Sequence, residues 1–301
     1  MKPQTKFLNG KRVGIFGKGG SGKSTVTVML AKALAAGGYR VCVLDADSTN
    51  VGLSQALGYA QPPATMLDYF GGMVFSGGLV TCPVDDPTPL EHAEINLAAL
   101  PGEYFQTNDE GITLLSAGKI GNQGPGAGCD GPIAKIARDL KITLEDEQPV
   151  TLIDFKAGFE DSARGAITSL DWGIVVVDPT IAAVEMAVNM RDMVKQIQAD
   201  VLPATSHLET EEQIFWANKQ FTDSNIRGML IVLNNIPDRE TEEYLRNELA
   251  DHQIEVAATI YRDNTISSSW LRGLPVVSSQ ALDQLRNVID ELEKRENTLL
   301  E

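Results

Sequence analysis

The chain has 301 residues, of which 43% are hydrophobic, so a packed core is expected. Its formal net charge is −16 at pH 7, which disfavours a sequence-independent grip on DNA or on an anionic membrane, because both need clustered Lys and Arg. No apolar run is long enough to cross a membrane, and the first residues lack the apolar stretch of a secretory signal. We therefore expect a cytoplasmic protein whose partners include neither nucleic acid nor membrane.

Strand patterns alternate with helical patterns along the chain. Strands are predicted over residues 12–17, 41–45, 112–117, 150–155, 173–177, 229–234 and 255–260, and helices over residues 23–36, 133–140, 181–198, 211–221, 240–251 and 282–298. Several strands are continuous apolar runs, which is typical of a parallel sheet buried on both faces. We predict an α/β fold, namely a single doubly wound domain over residues 1–301 with a mostly parallel sheet flanked by helices and an N-terminal tail at residues 1–10.

A glycine-rich segment joins the first predicted strand to the first predicted helix. It reads GKGGSGKS over residues 17–24 and fits the phosphate-loop pattern G-x-x-x-x-G-K-[ST]. A turn that fits by chance is the alternative, and the strand and helix on either side disfavour it. We expect Lys23 to reach the β- and γ-phosphates of ATP and the Ser24 hydroxyl to bind Mg²⁺. The predicted nucleotide-binding residues of this segment are Gly17, Gly19, Gly20, Ser21, Gly22, Lys23, Ser24 and Thr25.

The loop carries a second lysine, Lys18, directly after its first glycine. This KGGxGK[ST] form is the deviant phosphate loop, and it resembles that of the MinD, ParA and nitrogenase-iron-protein class of ATPases. The resemblance implies a catalytic role in which Lys18 reaches across a dimer interface to the phosphates of the partner's nucleotide. A solvated surface lysine is the alternative.

Acidic side chains end two further predicted strands. Asp45 and Asp47 follow the second strand, and Asp154 ends a Walker-B-like strand, with Gly158 four residues later. The resemblance implies that Asp45 and Asp154 hold water ligands of Mg²⁺ and that Asp47, on a switch loop, orients the attacking water. It also implies that the Gly158 N–H group meets the γ-phosphate. A helix cap or a solvated turn is the alternative for Asp45 and Asp47.

Two residues near the ends of later strands are candidates for contacts to the nucleotide base. The resemblance implies that Asn234 hydrogen-bonds the adenine edge and that Pro179 flanks the base or its contacts with the partner subunit. A turn-forming role is the alternative for Asn234, because a second Asn and a Pro follow it closely.

Cys129 lies in a glycine-rich loop, within a Gly- and Pro-rich stretch over residues 61–130 that breaks the alternation of strands and helices. The loop resembles the cysteine loop of CooC-type nickel-insertion ATPases and of the nitrogenase iron protein. CooC-type proteins carry Cys-x-Cys there, whereas this chain has Gly131 at the second position. A symmetric dimer would therefore offer two thiolates, short of the four sulfurs of a Zn²⁺ or Fe–S site, unless Asp130 or a client adds ligands.

The remaining cysteines are assigned other roles. Cys42 is predicted to be a core thiol within a strand, and Cys82 a loop residue without partner spacing. For Cys129 itself, a small residue left in a loop is the alternative to a metal ligand.

Taken residue by residue, the resemblance implies a homodimeric, Mg²⁺-dependent ATPase acting in metalloenzyme maturation or activation. It implies a metalloprotein client, and Ni, Zn or an Fe–S cluster at the dimer interface. One alternative is a MinD/ParA-type positioning ATPase, disfavoured because residues 291–297 are acidic and mixed rather than basic and amphipathic. A second is an ATP-dependent ligase related to dethiobiotin or cobyrinate synthetases, disfavoured by the lack of an appended amidotransferase domain.

Overall fold

Parallel strands form the centre of the computed structural model of the protein, which describes residues 6–120, 129–144 and 147–300. The strands are β1 (Arg12–Gly17), β2 (Val41–Ala46), β3 (Glu94–Asn96), β4 (Gln106–Thr107), β5 (Ile112–Ser116), β6 (Lys141–Thr143), β7 (Val150–Phe155), β8 (Trp172–Val177), β9 (Gly228–Ile236) and β10 (Val256–Tyr261). The main sheet has the order β10-β9-β8-β1-β7-β2-β5-β4, and its strands are parallel except β4, which runs antiparallel to β5. Strands β3 and β6 pair in a separate small sheet.

Helices cover both faces of this sheet. They are α1 (Lys23–Ala36), α2 (Leu53–Ala56), α3 (Met66–Tyr69), α4 (Gly131–Asp139), α5 (Glu160–Ala163), α6 (Ile181–Gln198), α7 (Glu211–Thr222), α8 (Arg239–Asp251), α9 (Asn264–Arg272) and α10 (Ser279–Leu300). The predicted α/β fold is confirmed, and each predicted strand and helix is present with its ends within three residues of the prediction. The elements that the sequence pattern missed are β3, β4, β6, α2, α3, α5 and α9.

The core is divided between the two faces of the sheet. Val13 and Ile15 of β1 pack with α1 and α10 on one face, whereas Phe16 packs with α4 and α6 on the other. The Phe16 ring stacks on Phe155 of β7 with 4.8 Å between centroids. Because both faces are covered, the central strands are mostly apolar, and each buried Val, Ile or Phe contributes about 1.5–3 kcal/mol.

The order of the strands reverses direction next to β1, which makes a topological switch point there. From β1 the chain passes by way of α1 to β2 on one side, whereas β8, β9 and β10 lie on the other side. In open α/β sheets, ligands bind in the crevice outside the carboxyl ends of the strands at such a point. The phosphate loop follows β1 at this point. Asp45 of β2 and Asp154 of β7 are partners in the pairing of these neighbouring strands, so they lie side by side.

Candidate nucleotide-binding site

The turn from β1 into α1 requires glycine at two positions. Gly22, the residue before α1, has φ 88°, and a Cβ there would lie 2.1 Å from Nδ2 of Asn234. A Cβ at Gly17 would lie 2.5 Å from the Ser21 hydroxyl oxygen. The chain therefore curls tightly into α1, whose free N–H groups and partial positive charge favour an anion at this end of the helix.

Lys23 and Ser24 open helix α1 at the floor of the loop. Lys23 is only 6% exposed, and its ammonium donates to the Lys18 carbonyl at 3.3 Å. The Ser24 hydroxyl donates to Asp154 Oδ2 at 2.7 Å and accepts from the Asn50 amide at 2.7 Å. Ser24 thus joins the phosphate loop to β7 and to the loop that follows β2. No described residue pairs with the Lys18 ammonium, which is partly exposed.

The carboxylates of Asp45, Asp47 and Asp154 are buried close to one another. Asp45 Oδ1 has no hydrogen-bond partner among the described residues. Burial raises the pKa of Asp45 to about 7, and the charges of Asp154 and Asp47 add to the rise. Burial also raises the pKa of Asp154 to about 6, although the Ser24 hydrogen bond opposes it. The charges of Lys119 beside Asp45 and of Lys23 near Asp154 offset these rises only in part, so the ionised forms stay costly without a further cation.

This donor set fits Mg²⁺ bound largely through water and phosphate. Within residues 6–120, 129–144 and 147–300, no three His, Cys, Asp or Glu side chains are grouped to hold a metal directly. Mg²⁺ usually keeps several waters and binds through one or two carboxylates and substrate phosphates. The Ser24 hydroxyl and the carboxylates of Asp45 and Asp154 would supply such a partial shell.

Lys119 is a residue of this site that sequence reasoning missed. Its ammonium donates to Asp45 Oδ2 at 2.7 Å and to the carbonyls of Asp47 and Asn50 at 2.6 and 2.5 Å. It therefore fastens the loop after β2 to the end of that strand. The available signal was its place just after β5, the strand beside β2.

Asp47 caps the turn that follows β2. Its Oδ1 accepts from the Thr49 backbone N–H at 3.0 Å and from the Thr49 hydroxyl at 2.7 Å. These contacts are those of a residue that caps a turn, which was the alternative role for Asp47. The orientation of an attacking water by Asp47 stays a prediction.

The other predicted nucleotide contacts lie at the same edge of the sheet. The Gly158 N–H group donates to the Gly17 carbonyl at 3.2 Å, with φ 97° at Gly158. The buried Asn234 amide donates to the Ser21 carbonyl at 2.8 Å, so it supports the phosphate loop from β9. Pro179 lies half-buried after β8. Contacts of these residues with phosphate or adenine stay predictions.

Asp130 connects the cysteine segment to both loops that flank the phosphate site. Its carboxylate accepts from the Ser48 hydroxyl at 2.5 Å, after β2, and pairs with the Lys156 ammonium, after β7. Burial opposes ionisation of Asp130, but the hydrogen bonds from Lys156 and Ser48 lower its pKa overall. In this conformation Ser48 and Lys156 occupy the Asp130 carboxylate, and its addition of oxygen ligands to a metal at Cys129 stays a prediction. Residues 121–128 of the predicted cysteine loop lie outside the described residues.

Trp270 of α9 is a second residue that the sequence did not identify. Its indole N–H donates to the Thr25 hydroxyl at 2.9 Å. A Cβ at Gly52 would lie 2.9 Å from its ring. The indole therefore contacts both the start of α1 and the segment after the Asp47 turn.

An open cleft of about 920 Å³ lies at the opposite edge of the sheet. Arg12, Arg138 and Gln220 are among its lining residues, and no phosphate-loop residue is. The Arg12 guanidinium donates to the Ala137 carbonyl at 2.7 Å, so protein groups already bind it. Although this cleft is large, its lining residues do not point to phosphate binding.

The chain is similar to known nucleotide-binding domains. A family model described as the CobQ/CobB/MinD/ParA nucleotide binding domain matches residues 15–276. An ATP-binding protein of Methanocaldococcus jannaschii is 31% identical over 203 residues, which cover 66% of this chain and 80% of the relative. The carbon monoxide dehydrogenase accessory protein CooC of Rhodospirillum rubrum is 28% identical over 200 residues, covering 62% of this chain and 70% of CooC.

Solved structures show the same fold. The septum site-determining protein MinD of Pyrococcus horikoshii, solved with Mg-ADP, superposes with a TM-score of 0.58 at 19% identity, covering 94% of this chain and 96% of that one. None of the helices in the described residues is both long and apolar enough to cross a membrane.

Proposed function

Because the chain belongs to the CobQ/CobB/MinD/ParA family of nucleotide-binding domains, we propose that it is a Mg²⁺-dependent ATPase that works as a homodimeric switch in metalloenzyme maturation or activation. The observation that carries this proposal is the pair of contacts made by Asp130. This carboxylate stands beside Cys129 and bonds to both loops that would sense the γ-phosphate.

Nucleotide binding follows from the loop and the helix behind it. The β- and γ-phosphates take the N–H groups of the loop and the start of α1, and Lys23 gives up its contact with the Lys18 carbonyl to meet them. Ser24, Asp45 and Asp154 would hold Mg²⁺, which would supply positive charge to the phosphate oxygens. Adenine lies toward Asn234 and Pro179.

Hydrolysis transfers the terminal phosphoryl group to water. The water oxygen bonds to the γ-phosphorus, the bond to the β–γ bridging oxygen breaks, and ADP and phosphate are released. Asp47 orients that water and favours loss of its proton. Lys23 and the Lys18 of the partner subunit neutralise the charge that gathers on the bridging and γ-oxygens.

The switch consists of contacts that nucleotide must break. Gly158 bonds Gly17, and Asp47 caps its own turn, so neither group is free for the γ-phosphate in this conformation. Binding of ATP that favours the alternative contacts would shift the population of the two loops. Ser48 and Lys156 belong to those loops, so the shift is transmitted to Asp130.

The metalloenzyme role is chosen over two alternatives. The similarity to CooC, a carbon monoxide dehydrogenase accessory protein, supports it, and the place of Cys129 beside the switch loops supports it physically. A MinD-type role needs an apolar face free for membrane, yet Leu285 and Val288 of α10 are buried against α1. A ligase would convert a small carboxylate substrate, which a product assay distinguishes from ATP hydrolysis alone.

The test has one core assay and three discriminating arms. Phosphate release from ATP should require Mg²⁺ and should be lost in Lys23→Ala, because the main charge partner of the phosphates is removed. Anionic vesicles and duplex DNA should not retain the ATP-loaded protein, and a panel of small carboxylates should yield no new product.

A further readout tests the coupling to metal. Zn²⁺ affinity, measured by competition with a chromophoric chelator, should differ between the ATP-bound and ADP-bound protein. Equal affinity in the two states would contradict the maturation role, and phosphate release by Lys23→Ala would contradict the ATPase assignment.

A further inference from the structure

The loop that follows β2 is fastened across the hydroxyl group of Ser24. The Asn50 side-chain amide donates to the Ser24 hydroxyl oxygen at 2.7 Å, while the same hydroxyl donates to Asp154 Oδ2 at 2.7 Å. Asn50 Oδ1 accepts from the Gly52 backbone N–H at 3.0 Å, so both ends of the Asn50 amide are bonded. One of the two lone pairs of the Ser24 oxygen, the atom expected to bind Mg²⁺, is therefore already used by the loop.

Lys119 holds Asn50 in place through its backbone. The Lys119 ammonium donates to the Asn50 carbonyl at 2.5 Å, to the Asp47 carbonyl at 2.6 Å and to Asp45 Oδ2 at 2.7 Å. These bonds use all three N–H donors of the ammonium group. The Lys119 side chain is only 23% exposed, so the charge-assisted bonds are largely shielded from water.

The backbone fixes the segment from which Lys119 projects. The Ala117 N–H donates to the Asp45 carbonyl at 2.8 Å, and the Ile120 N–H donates to the Ser48 carbonyl at 3.2 Å. These bonds continue the parallel pairing of β5 with β2 beyond the ends of both strands. Lys119 therefore stands on a segment that the sheet holds in place, and it can restrain the loop over residues 47–50.

The Asn50 amide and a cation compete for the Ser24 oxygen. The amide presents hydrogens of partial positive charge to this oxygen, and a divalent cation on the same atom repels them. Mg²⁺ also demands a near-octahedral shell that keeps several waters, and the amide crowds the ligand atom at 2.7 Å. Binding of Mg²⁺ to Ser24 is therefore favoured when the Asn50 amide has moved away.

We propose that Asn50 and Lys119 form a latch that closes the loop after β2 over Ser24 in the nucleotide-free protein, and that binding of Mg²⁺ with the nucleotide requires this latch to open. Both are positioning residues, since they act through Ser24 and the loop rather than on the phosphates. The loop also carries Ser48, which bonds to Asp130, so opening of the latch couples the Mg²⁺ site to the segment before α4. The Mg²⁺ response rests on the nucleotide-binding role proposed above, whereas the closed latch of the nucleotide-free protein does not.

The first test is the factor by which Mg²⁺ strengthens ADP binding, obtained from calorimetric titrations of ADP with excess Mg²⁺ and with EDTA. The closed latch lowers this factor in the parent, because only the open fraction of the protein binds Mg²⁺ well. Asn50→Leu keeps the volume of the side chain but has no amide, so it should raise the factor by about three- to tenfold, the worth of one net hydrogen bond. ADP affinity in EDTA should be nearly unchanged. Asn247→Leu is the matched control, since Asn247 is exposed on α8 and should leave the factor unchanged.

Hydrogen exchange of the nucleotide-free protein tests the latch without any ligand. The Asn50 N–H, which bonds to the Asp47 carbonyl, reports on the loop, and the Ile120 N–H reports on its attachment to the sheet. Ser24→Ala removes the acceptor of the Asn50 amide, and Lys119→Met removes three donors but keeps an unbranched side chain. Each variant should speed exchange of these N–H groups by at least about fivefold. Circular dichroism of the same preparations reports whether the fold is intact.

The outcomes separate the latch from the nucleotide site. An Asn50→Leu protein whose Mg²⁺ factor equals or falls below that of the parent would overturn the latch as a barrier to Mg²⁺. Parental exchange rates in either Ser24→Ala or Lys119→Met would overturn the latch itself. A parent that does not bind ADP, or binds it equally with Mg²⁺ and with EDTA, would instead contradict the proposed nucleotide site, and the exchange rates would then judge the closed latch by themselves.

Discussion

Replacing Asp45 by Asn should stabilise the nucleotide-free protein while impairing its Mg²⁺ site. In the folded chain the pKa of Asp45 rises from 3.8 to about 7, chiefly because the carboxyl is buried. A rise of about three pH units corresponds to about 4 kcal/mol of unfavourable free energy for the ionised form. Asn keeps the shape and a hydrogen-bond acceptor for Lys119 but carries no charge.

The sign of the pH dependence follows from the proton count. Between about pH 4 and pH 7 the folded parent holds a proton on Asp45 that the unfolded chain has released. The free energy of unfolding of the parent therefore falls as pH rises through this window, relative to Asp45→Asn, by at most about 1.4 kcal/mol per pH unit. We expect the variant to be more stable by up to about 4 kcal/mol at pH 8 and nearly equal to the parent at pH 4.

Urea unfolding followed by circular dichroism in EDTA, at pH 4, 6 and 8, measures this difference. Asp109→Asn is the control, because that exposed aspartate has no described contact and should leave the pH profile unchanged. An Asp45→Asn protein that is less stable than the parent at pH 8, or that shows the same pH profile, would refute the reasoning.

Three further predictions concern nucleotide binding. Without Mg²⁺ the pKa of Asp45 is about 7 and that of Asp154 about 6, so Mg·ATP binding at pH 6.5 should release protons from these carboxyls. At pH 8.5 almost no protons should be released. Calorimetry in buffers of different ionisation enthalpy counts the protons. Asp130→Asn should hydrolyse ATP but lose the effect of nucleotide on Zn²⁺ affinity at Cys129, and a retained effect in the chelator assay would disprove the link. ATP should change the tryptophan fluorescence of the parent, because the Trp270 indole bonds to Thr25 at the start of α1. Trp270→Phe should abolish this change. A change that survives Trp270→Phe and is lost on replacing another tryptophan would contradict a response from Trp270.

The phosphate loop and the acidic strand ends were predictable because their chemistry is local in sequence. Glycines that permit a tight turn, a lysine and a hydroxyl at the first turn of α1 all lie within one short segment. Asp45 and Asp154 were predictable because acids ending parallel strands meet at one edge of the sheet.

The contacts missed by sequence reasoning join distant segments of the chain. Lys119 meets Asp45 across 74 positions, and Lys156 meets Asp130 across 26. Cys82 reaches Gly131 through a stretch rich in Gly and Pro that has no periodic pattern, so spacing alone gave no signal. Such pairs are set by how loops fold over the sheet rather than by local propensity.

The central claim is that ATP draws two chains together through Lys18. The most direct test is the molar mass of Asp47→Ala with Mg·ATP, measured by light scattering after size exclusion. Asp47→Ala removes orientation of the attacking water but keeps the phosphate loop, so ATP should persist and hold a dimer. We predict a dimer mass with ATP, a smaller mass with ADP, and loss of the ATP-dependent dimer when Lys18→Ala is added. A mass that is the same with ATP and ADP, or an ATP-dependent dimer that survives Lys18→Ala, would contradict the account.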